Sequence, residues 1–249
     1  MTRILGIIPA RYASTRFPGK PLVDIGGMSM IERVYRQVTQ SKRVHHVVVA
    51  TDNQEIHDHV TTFGGKVVMT HDRHPSGTDR CYEAYTLLGE TFDYVINIQG
   101  DEPFIQPSQI DTLADVLDGK TEIATLVKRT TNLDELDNPG EVKVVLNRDR
   151  VALYFSRTPI PYLHNTPKDS WADKHAFYKH IGLYAFRSDI LRDITQLPVS
   201  DLEKAESLEQ LRWLENGYSI QVAETDTESL CIETPDDVQR AVEYLRNLS

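Results

Sequence analysis

Short apolar runs rich in β-branched residues alternate along this chain with segments whose apolar positions recur every three or four residues. The run at 4–8 is typical of a buried strand. Apolar residues within 28–38 recur at spacings of 3, 4 and 7, which places them on one face of a helix. This alternation of strands and helices predicts βαβ units, and therefore an α/β fold with a mostly parallel sheet flanked by helices.

The same pattern continues to the end of the chain and predicts one strand or helix after another. The predicted strands are 4–8, 47–51, 66–69, 94–98, 122–128, 142–146, 152–156, 178–186 and 219–223. The predicted helices are 28–38, 54–63, 78–88, 107–117, 202–214 and 238–248.

The rhythm changes from about residue 139. The runs 142–146 and 152–156 are separated only by a polar segment at 147–150, which predicts two strands joined by a turn. Prolines make the segment 159–173 a poor strand, so we predict an extended excursion there. We therefore predict a single domain of 1–249 with an inserted lobe at about 140–190.

Composition excludes several classes of protein. The net charge of −10 disfavours a nucleic-acid surface, which would show a basic stripe. Cys81 and Cys231 are too far apart for a metal-ligand motif, and we expect two thiols in a reducing compartment. No window approaches the roughly 18 apolar residues of a membrane-spanning helix. We expect a cytoplasmic protein that does not insert into membranes.

Positive charge is concentrated in the loop after the first predicted strand. Between 1 and 23 there are basic residues at Arg3, Arg11, Arg16 and Lys20, and no acidic residue. Such a focus on an acidic chain attracts an anion, and small neighbouring residues let backbone N–H groups approach phosphate oxygens. We predict that Arg11, Arg16 and Lys20 clamp a nucleoside triphosphate, although a solvated basic loop is the alternative. The loop is neither a Walker A motif nor G-x-G-x-x-G.

Asp101 follows the predicted strand 94–98 directly. Open α/β sheets bind ligands at the carboxyl ends of their strands. A carboxylate beside a triphosphate would be repelled unless a hard cation lay between them, so Asp101 is a candidate Mg²⁺ ligand. A turn former or a helix cap is the alternative for a loop aspartate.

Motifs spread along the chain resemble, in the same order, those of the sugar-acid cytidylyltransferases, above all those acting on 3-deoxy-manno-octulosonate (Kdo). The first is IPARYASTRFPGKPL, which begins at Ile8. Further matching segments are 50–52, 64–65, 76–80, 97–103, 152–157, 180–184, 208–212 and 233–237. Several motifs in register are far more specific than one glycine-rich loop.

The resemblance implies a Rossmann-like nucleotidyltransferase fold whose inserted lobe binds the sugar and helps to form a homodimer. It implies Mg²⁺-dependent transfer of CMP from CTP to the anomeric hydroxyl of Kdo, with release of pyrophosphate, for lipopolysaccharide synthesis. The residues that it implies for nucleotide binding are Ala10, Arg11, Ser14, Lys20, Ser76, Gly77, Thr78, Arg80 and Gln99. The residues that it implies for sugar binding are Arg157, His180, Tyr184, Glu209 and Gln210.

The second metal position departs from the family pattern. The family usually has Asp-Thr-Pro-(Glu/Asp)-Asp there, and its first Asp joins the strand-end Asp on the metal. This chain has Glu233 instead, followed by Thr234 and Pro235. A longer carboxylate can still reach the metal if the backbone retreats slightly. The same segment is also suited to opening the last helix, with Thr234 as N-cap and Pro235 at the first position.

Other functions remain open at this stage. Within the class, the acid sugar is alternatively 8-amino-Kdo or a sialic acid. From another class, a non-catalytic nucleotide-binding regulator can use the same fold, because fold does not determine function. Asp101 paired with a carboxylate at 233 favours an enzyme, since a binding protein needs no pair of metal ligands.

Overall fold

The structure is a computed structural model that describes residues 2–13 and 17–248. Its strands, in chain order, are β1 (Ile4–Ala10), β2 (His46–Thr51), β3 (Val67–Met69), β4 (Tyr94–Asn97), β5 (Ile123–Thr130), β6 (Lys143–Leu146), β7 (Ala152–Ser156), β8 (Phe177–Arg187) and β9 (Ile220–Glu224). Its helices are α1 (Met30–Val38), α2 (Gln54–Thr62), α3 (Gly77–Leu88), α4 (Pro107–Ala114), α5 (Leu133–Asp137), α6 (Trp171–Lys174), α7 (Ser188–Ile194), α8 (Asp201–Glu206), α9 (Glu209–Glu215) and α10 (Pro235–Leu248).

The chain forms two compact units. The first is built from the chain up to Asp111 together with the chain from Ser229 onward, and the second is Thr112–Glu228. The predicted single domain with a lobe at about 140–190 stays a prediction. Within the described residues, no helix has both the length and the apolar character needed to cross a membrane.

The first unit is organised around a parallel sheet in the order β3-β2-β1-β4. Ile7 of β1 lies opposite Val48 of β2 and opposite Asn97 of β4. β1 is almost completely buried, as its continuous apolar sequence predicts for a central parallel strand. The carboxyl ends of these parallel strands meet at one edge of the sheet, where ligands of open α/β sheets bind.

Side-chain caps determine where the helices of the first unit begin. Ser29, Asn53 and Ser76 each accept a hydrogen bond from the backbone N–H three residues ahead. Each cap satisfies an N–H group that would otherwise lack a partner at a helix start. α3 therefore begins immediately after Ser76, within a segment predicted to bind the nucleotide.

A small apolar core attaches the last helix of the chain to the first unit. Ile25, Met30, Phe104, Ile232 and Ala241 are buried against one another. This packing joins α1, the loop after β4 and α10. The segment just before α10, which contains Glu233, is thereby held beside the loop that carries Asp101.

The second unit contains both parallel and antiparallel pairs. β5 pairs antiparallel with β8 and parallel with β9. β6 forms the predicted hairpin with β7 and also pairs with β8. The predicted class, mixed α/β with a mostly parallel central sheet flanked by helices, is confirmed. Every predicted strand is present, with bounds that differ by at most two residues.

The helices of the second unit differ from the prediction. α5 and α7 were not predicted, and the excursion at 159–173 ends in α6, whose Trp171 packs on Leu136 and Phe177. The predicted helix 202–214 is two helices, α8 and α9. It breaks at Ser207, whose φ of 51° is in the left-handed region that a continuous α-helix excludes.

Candidate active site

A cavity of about 240 Å³ lies in the first unit, where β1 and β4 end and α3 begins. The predicted site residues that line it are Ala10, Arg11, Lys20, Ser76, Gly77, Arg80, Gln99 and Asp101. Gly100, within the matching segment 97–103, lines it as well, and so do His74 and Met30, which sequence reasoning did not single out. Ser14 and Arg16 lie outside the described residues.

An ion pair occupies the charged end of the cavity. Lys20 Nζ lies 2.7 Å from Asp101 Oδ2 and also donates to the carbonyl oxygen of Ile232 at 3.0 Å. Lys20 follows Gly19, whose φ of 70° suits glycine and whose N–H closes the loop onto the carbonyl oxygen of Tyr12. The sequence thus places a cation and a carboxylate together at the strand ends, while Arg11 is exposed beside them.

Gly100 explains how Asp101 comes so close to the end of β1. A Cβ atom at Gly100 would lie 2.7 Å from the carbonyl oxygen of Pro9, a separation that no ordinary side chain tolerates. Glycine therefore lets the loop after β4 lie against β1. The sequence shows the glycine before Asp101, but only the structure shows the clash with Pro9 that makes glycine necessary there.

The segment of Glu233 lies alongside Asp101. The N–H of Ile232 donates to the carbonyl oxygen of Asp101 at 2.9 Å. Asp237 accepts hydrogen bonds from the N–H groups of Glu233 and Thr234, each at 2.9 Å, and so fixes the turn into α10. α10 begins at Pro235, three residues before the predicted helix 238–248, and agrees with the interpretation of Pro235 as the first helical position.

The donor chemistry fits a magnesium ion. Burial is the main cause of the raised pKa of the Cys231 thiol. The negative charges of Asp101 and Glu102 raise that pKa further, and the charge of Glu233 adds to the effect. The carboxylates of Asp101, Glu102 and Glu233 therefore all lie near the Cys231 thiol. Among the described residues no group of three or more His, Cys, Asp or Glu side chains could hold a metal ion. Mg²⁺ suits this arrangement, because it binds one or two carboxylates and completes its octahedron with water and substrate phosphates.

The start of α3 supplies the polar wall of the cavity. Ser76 Oγ caps the helix and lies 2.6 Å from Asp79 Oδ2. Arg80 is buried, and its guanidinium donates to Asp52 Oδ2 at 2.7 Å and to Thr70 Oγ1 at 2.6 Å. Arg80 therefore ties α3 to the segments after β2 and β3. Thr78, also predicted for nucleotide binding, is buried in the first turn of α3.

The residues predicted for sugar binding all lie in the second unit. The guanidinium group of Arg157 donates three hydrogen bonds to backbone carbonyl oxygens: Nε to Glu206 at 2.6 Å, Nη1 to Pro139 at 2.9 Å and Nη2 to Ser207 at 3.1 Å. It thereby clamps the break between α8 and α9. Glu209 and Gln210 follow that break at the start of α9, where Gln210 is buried.

His180 and Tyr184 lie together on β8, with ring centroids 5.1 Å apart. Burial lowers the pKa of His180 to about 3, and its Nε2 lies 2.8 Å from Thr125 Oγ1. Burial, and next the charge of Glu209, raise the pKa of Tyr184 well above its usual value. The hydroxyl oxygen of Tyr184 is buried and has no hydrogen-bond partner within the described part of the chain. The structure thus brings His180, Tyr184 and Glu209 together.

These features define a class of protein. A parallel sheet carries, at its carboxyl edge, a loop of cations, a strand-end carboxylate and a polar helix start, all lining one cavity. This is the arrangement of an α/β enzyme that binds nucleotide phosphates.

Comparison with known proteins narrows the class. Residues 5–222 match the family profile described as cytidylyltransferase. A 3-deoxy-manno-octulosonate cytidylyltransferase of Parabacteroides distasonis is 55% identical over 252 positions, which cover 99% of this chain and 100% of the relative. The relative of that name from Thermodesulfovibrio yellowstonii is 45% identical, and the match covers 98% of each chain. The chain therefore belongs to the cytidylyltransferase family of nucleotidyltransferase enzymes, with the 3-deoxy-manno-octulosonate cytidylyltransferases as its relatives.

Solved structures agree with this assignment. A CMP:2-keto-3-deoxy-manno-octonic acid synthetase complexed with CTP superposes with a TM-score of 0.92 at 40% identity, and the match covers 100% of both chains. A 4-diphosphocytidyl-2C-methyl-D-erythritol synthase from Anaerococcus prevotii, at 15% identity and a TM-score of 0.62, shares the fold alone. The resemblance found in the sequence motifs is confirmed.

Proposed function

We propose that this enzyme transfers the cytidylyl group of CTP to the anomeric hydroxyl of Kdo and releases pyrophosphate, giving CMP-Kdo for lipopolysaccharide synthesis. The observation that carries the proposal is the 55% identity, over nearly the whole chain, to a relative named for that reaction. The Lys20–Asp101 pair in a cavity at the strand ends supports it independently, because phosphoryl transfer depends mainly on cations and positioning.

The cavity residues have distinct roles in this proposal. The oxygen of the anomeric hydroxyl attacks the α-phosphorus and its proton passes to solvent, while the bond from that phosphorus to the β-phosphate oxygen breaks, so that pyrophosphate leaves with the electron pair. Arg11, Arg16 and Lys20 hold the oxygens on which charge develops. The residues proposed to hold the base and the ribose are Ala10, Ser14, Ser76, Gly77, Thr78, Arg80 and Gln99.

We assign Asp101 and Glu233 as the protein ligands of a Mg²⁺ ion. A bound Mg²⁺ would neutralise charge on the phosphates. Two observations support the assignment: the 2.9 Å hydrogen bond that joins the two segments, and the acidic surroundings of Cys231. Asp237 holds the backbone of Glu233 through its N–H group.

The acid sugar is assigned to Arg157, His180, Tyr184, Glu209 and Gln210. Tyr184 supports this role, because its buried hydroxyl has no partner in the described part of the protein, and a sugar hydroxyl would supply one. His180 is held neutral, and a neutral imidazole can accept or donate a hydrogen bond.

We further propose a homodimer in the cytoplasm. Leu153 and Tyr162, both within the predicted lobe, are 59% and 75% exposed, and apolar surface of this kind is typical of an interface. Cys81 and Cys231 form no disulfide bond, which supports a reducing compartment. Analytical ultracentrifugation of the wild type and of Leu153→Lys tests the dimer. We expect the wild type to sediment as a dimer and the variant to shift to monomer.

The activity is tested by pyrophosphate release from CTP with a panel of Kdo, 8-amino-Kdo and a sialic acid, at several Mg²⁺ concentrations. We expect the highest kcat/KM with Kdo and no release without Mg²⁺. Asp101→Asn, which removes a proposed metal ligand, should slow the release. Its control is Asp173→Asn, which changes an exposed carboxylate on α6 and should retain wild-type rates. Faster turnover of another acid sugar would reassign the substrate, and no release with any acid sugar would remove the proposed reaction.

A further inference from the structure

His74 lines the nucleotide cavity without a role in the function proposed above. It lies two residues before the Ser76 cap of α3, and its side chain is 19% exposed. Its Nε2 is hydrogen-bonded to Oε2 of Glu83, which lies on the second turn of α3. In the described part of the chain, this carboxylate is the hydrogen-bond partner of the imidazole.

Glu83 is itself fixed in place. Its Oε2 also accepts the backbone N–H of His71 at 2.8 Å, so one carboxylate holds two points of the segment that leads into the cavity. Burial would raise the pKa of Glu83, but the hydrogen bonds from His74 and His71 outweigh it and hold that pKa below its ordinary value. Glu83 is therefore ionised at neutral pH and can only accept hydrogen bonds.

An acceptor-only partner determines the tautomer of a histidine. Nε2 must carry the hydrogen that it donates to Glu83, so the other nitrogen of the neutral ring, Nδ1, is left as an acceptor. Cytosine presents an exocyclic amino group, a donor, where uracil presents a carbonyl oxygen, an acceptor. A nitrogen held as an acceptor pairs with the first and repels the second.

We propose that His74 reads the exocyclic amino group of the pyrimidine through Nδ1, and that Glu83 is the positioning residue that keeps Nδ1 an acceptor. The inference rests on the proposed use of CTP and assigns part of its selectivity to two residues outside the predicted site. It makes Glu83, which does not line the cavity, a determinant of base specificity.

Two substitutions of His74 distinguish recognition of the pyrimidine base from a purely structural role in supporting the loop. In His74→Asn an amide replaces the ring near Nδ1, whereas in His74→Gln the amide reaches the place of Nε2. If His74 reads the base, His74→Asn keeps most of the preference for CTP over UTP and His74→Gln loses about tenfold of it, the effect expected for one hydrogen bond. If His74 only supports the loop through Glu83, His74→Gln keeps the preference and His74→Asn does not, which overturns the proposal.

Glu83→Gln tests the positioning role, because an amide can donate to Nε2 and so release the tautomer. We expect the CTP/UTP ratio to fall about tenfold while the melting temperature stays near that of the wild type. The control is Asp58→Asn in the exposed His57–Asp58 pair on α2, where the two side chains are 3.1 Å apart. The ratio should not change there, and an equal fall in the control would refute the assignment.

Nucleotide affinity is measured by calorimetry with CTP and with UTP, both with Mg²⁺ and without sugar. This readout is independent of the transfer reaction. If the wild type prefers CTP in binding but turns over none of the acid sugars, the proposed function fails and the inference about His74 stands. If the wild type binds CTP and UTP equally, the inference fails.

Discussion

The charged groups of the cavity and the groups assigned to the sugar are held in different ways. Lys20 and Asp101 are paired with each other, and their side chains are 15% and 29% exposed. Arg157 donates three hydrogen bonds to backbone carbonyl oxygens. His180 and Tyr184 are buried on β8, where burial lowers the pKa of His180 and raises that of Tyr184. The first set is the one proposed to bind the nucleotide and metal, whereas the second set, proposed to bind the sugar, is also part of the fold.

This difference determines how substitutions should behave. The Lys20–Asp101 pair is partly exposed, and Lys20 has a second acceptor in the carbonyl oxygen of Ile232, so changes at Asp101 should alter rates far more than the melting temperature. The hydrogen bonds of Arg157 and His180 tie these side chains into the fold, so changes at either should alter stability as well, whereas the Tyr184 hydroxyl has no such bond within the described residues. Each prediction below tests one side of this comparison.

Asp101→Asn should have the largest effect. It removes the negative charge proposed to bind Mg²⁺ while keeping the size of the side chain. We expect kcat to fall roughly 1,000-fold, because several kcal/mol of charge stabilisation depend on the metal. The melting temperature should stay near the wild-type value, because the lost ion pair with Lys20 is partly exposed. Pyrophosphate release and thermal unfolding measure both, and near-normal turnover would remove Asp101 from the metal site.

Arg157→Lys should have the next largest effect, and it should appear in both readouts. Lysine cannot donate at once to the carbonyl oxygens of Pro139, Glu206 and Ser207, so the break between α8 and α9 loses its clamp. We expect the KM for the sugar to rise about 100-fold. The KM for CTP should change little, and the melting temperature should fall. An equal rise of the two KM values would assign Arg157 a structural role alone.

That clamp also shows where sequence reasoning reached its limit. The helix predicted at 202–214 breaks at Ser207, and no glycine or proline marks the break. The left-handed backbone there is accompanied by the hydrogen bond from Arg157, fifty positions earlier in the sequence. A contact of that range leaves no local signal, so α8 and α9 were predicted as one helix.

The cavity was more predictable because its signals are local. The cations of the first loop and Asp101 after β4 follow from strand ends that the apolar pattern marks clearly. Arg80 is hydrogen-bonded to Asp52 and Thr70. These two partners come from two other segments, so they could not be predicted from spacing. His74 carried no signal of its own, since its partner Glu83 lies nine residues later on α3.

Glu233→Gln tests the metal side more gently, since Asp101 remains. An amide is a poorer ligand than a carboxylate, so we expect a fall in rate of about tenfold and a higher Mg²⁺ concentration for half-maximal rate. Glu233→Asp should be milder and should shift the balance between Mg²⁺ and Mn²⁺. Initial rates against metal concentration measure these effects, and Thr234→Ala is the control for damage to the helix start. A wild-type metal titration in Glu233→Gln would make Glu233 only the residue before α10.

His180 should make stability depend on pH. Folded His180 stays neutral down to about pH 3, whereas the unfolded residue is protonated below about 6.5. Between these values the unfolded state binds more protons, so stability is intact above pH 6.5 and falls as the pH drops toward 3, by up to about 1.4 kcal/mol per pH unit. Denaturant unfolding of the wild type and of His180→Asn should diverge in this window. Parallel curves would show that His180 titrates normally in the folded protein.

Tyr184→Phe should have the smallest effect and separates binding from folding most cleanly. The hydroxyl is buried without a partner in the described residues, so its removal should leave stability unchanged or raise it by about 1 kcal/mol. If the sugar supplies the missing partner, the KM for the sugar rises about fivefold, the equivalent of one hydrogen bond. Tyr178→Phe is the matched control, because its hydroxyl accepts from Arg150 at 3.1 Å and its loss should lower stability without changing that KM. A Tyr184→Phe variant that loses stability and binds sugar normally would place Tyr184 wholly with the fold.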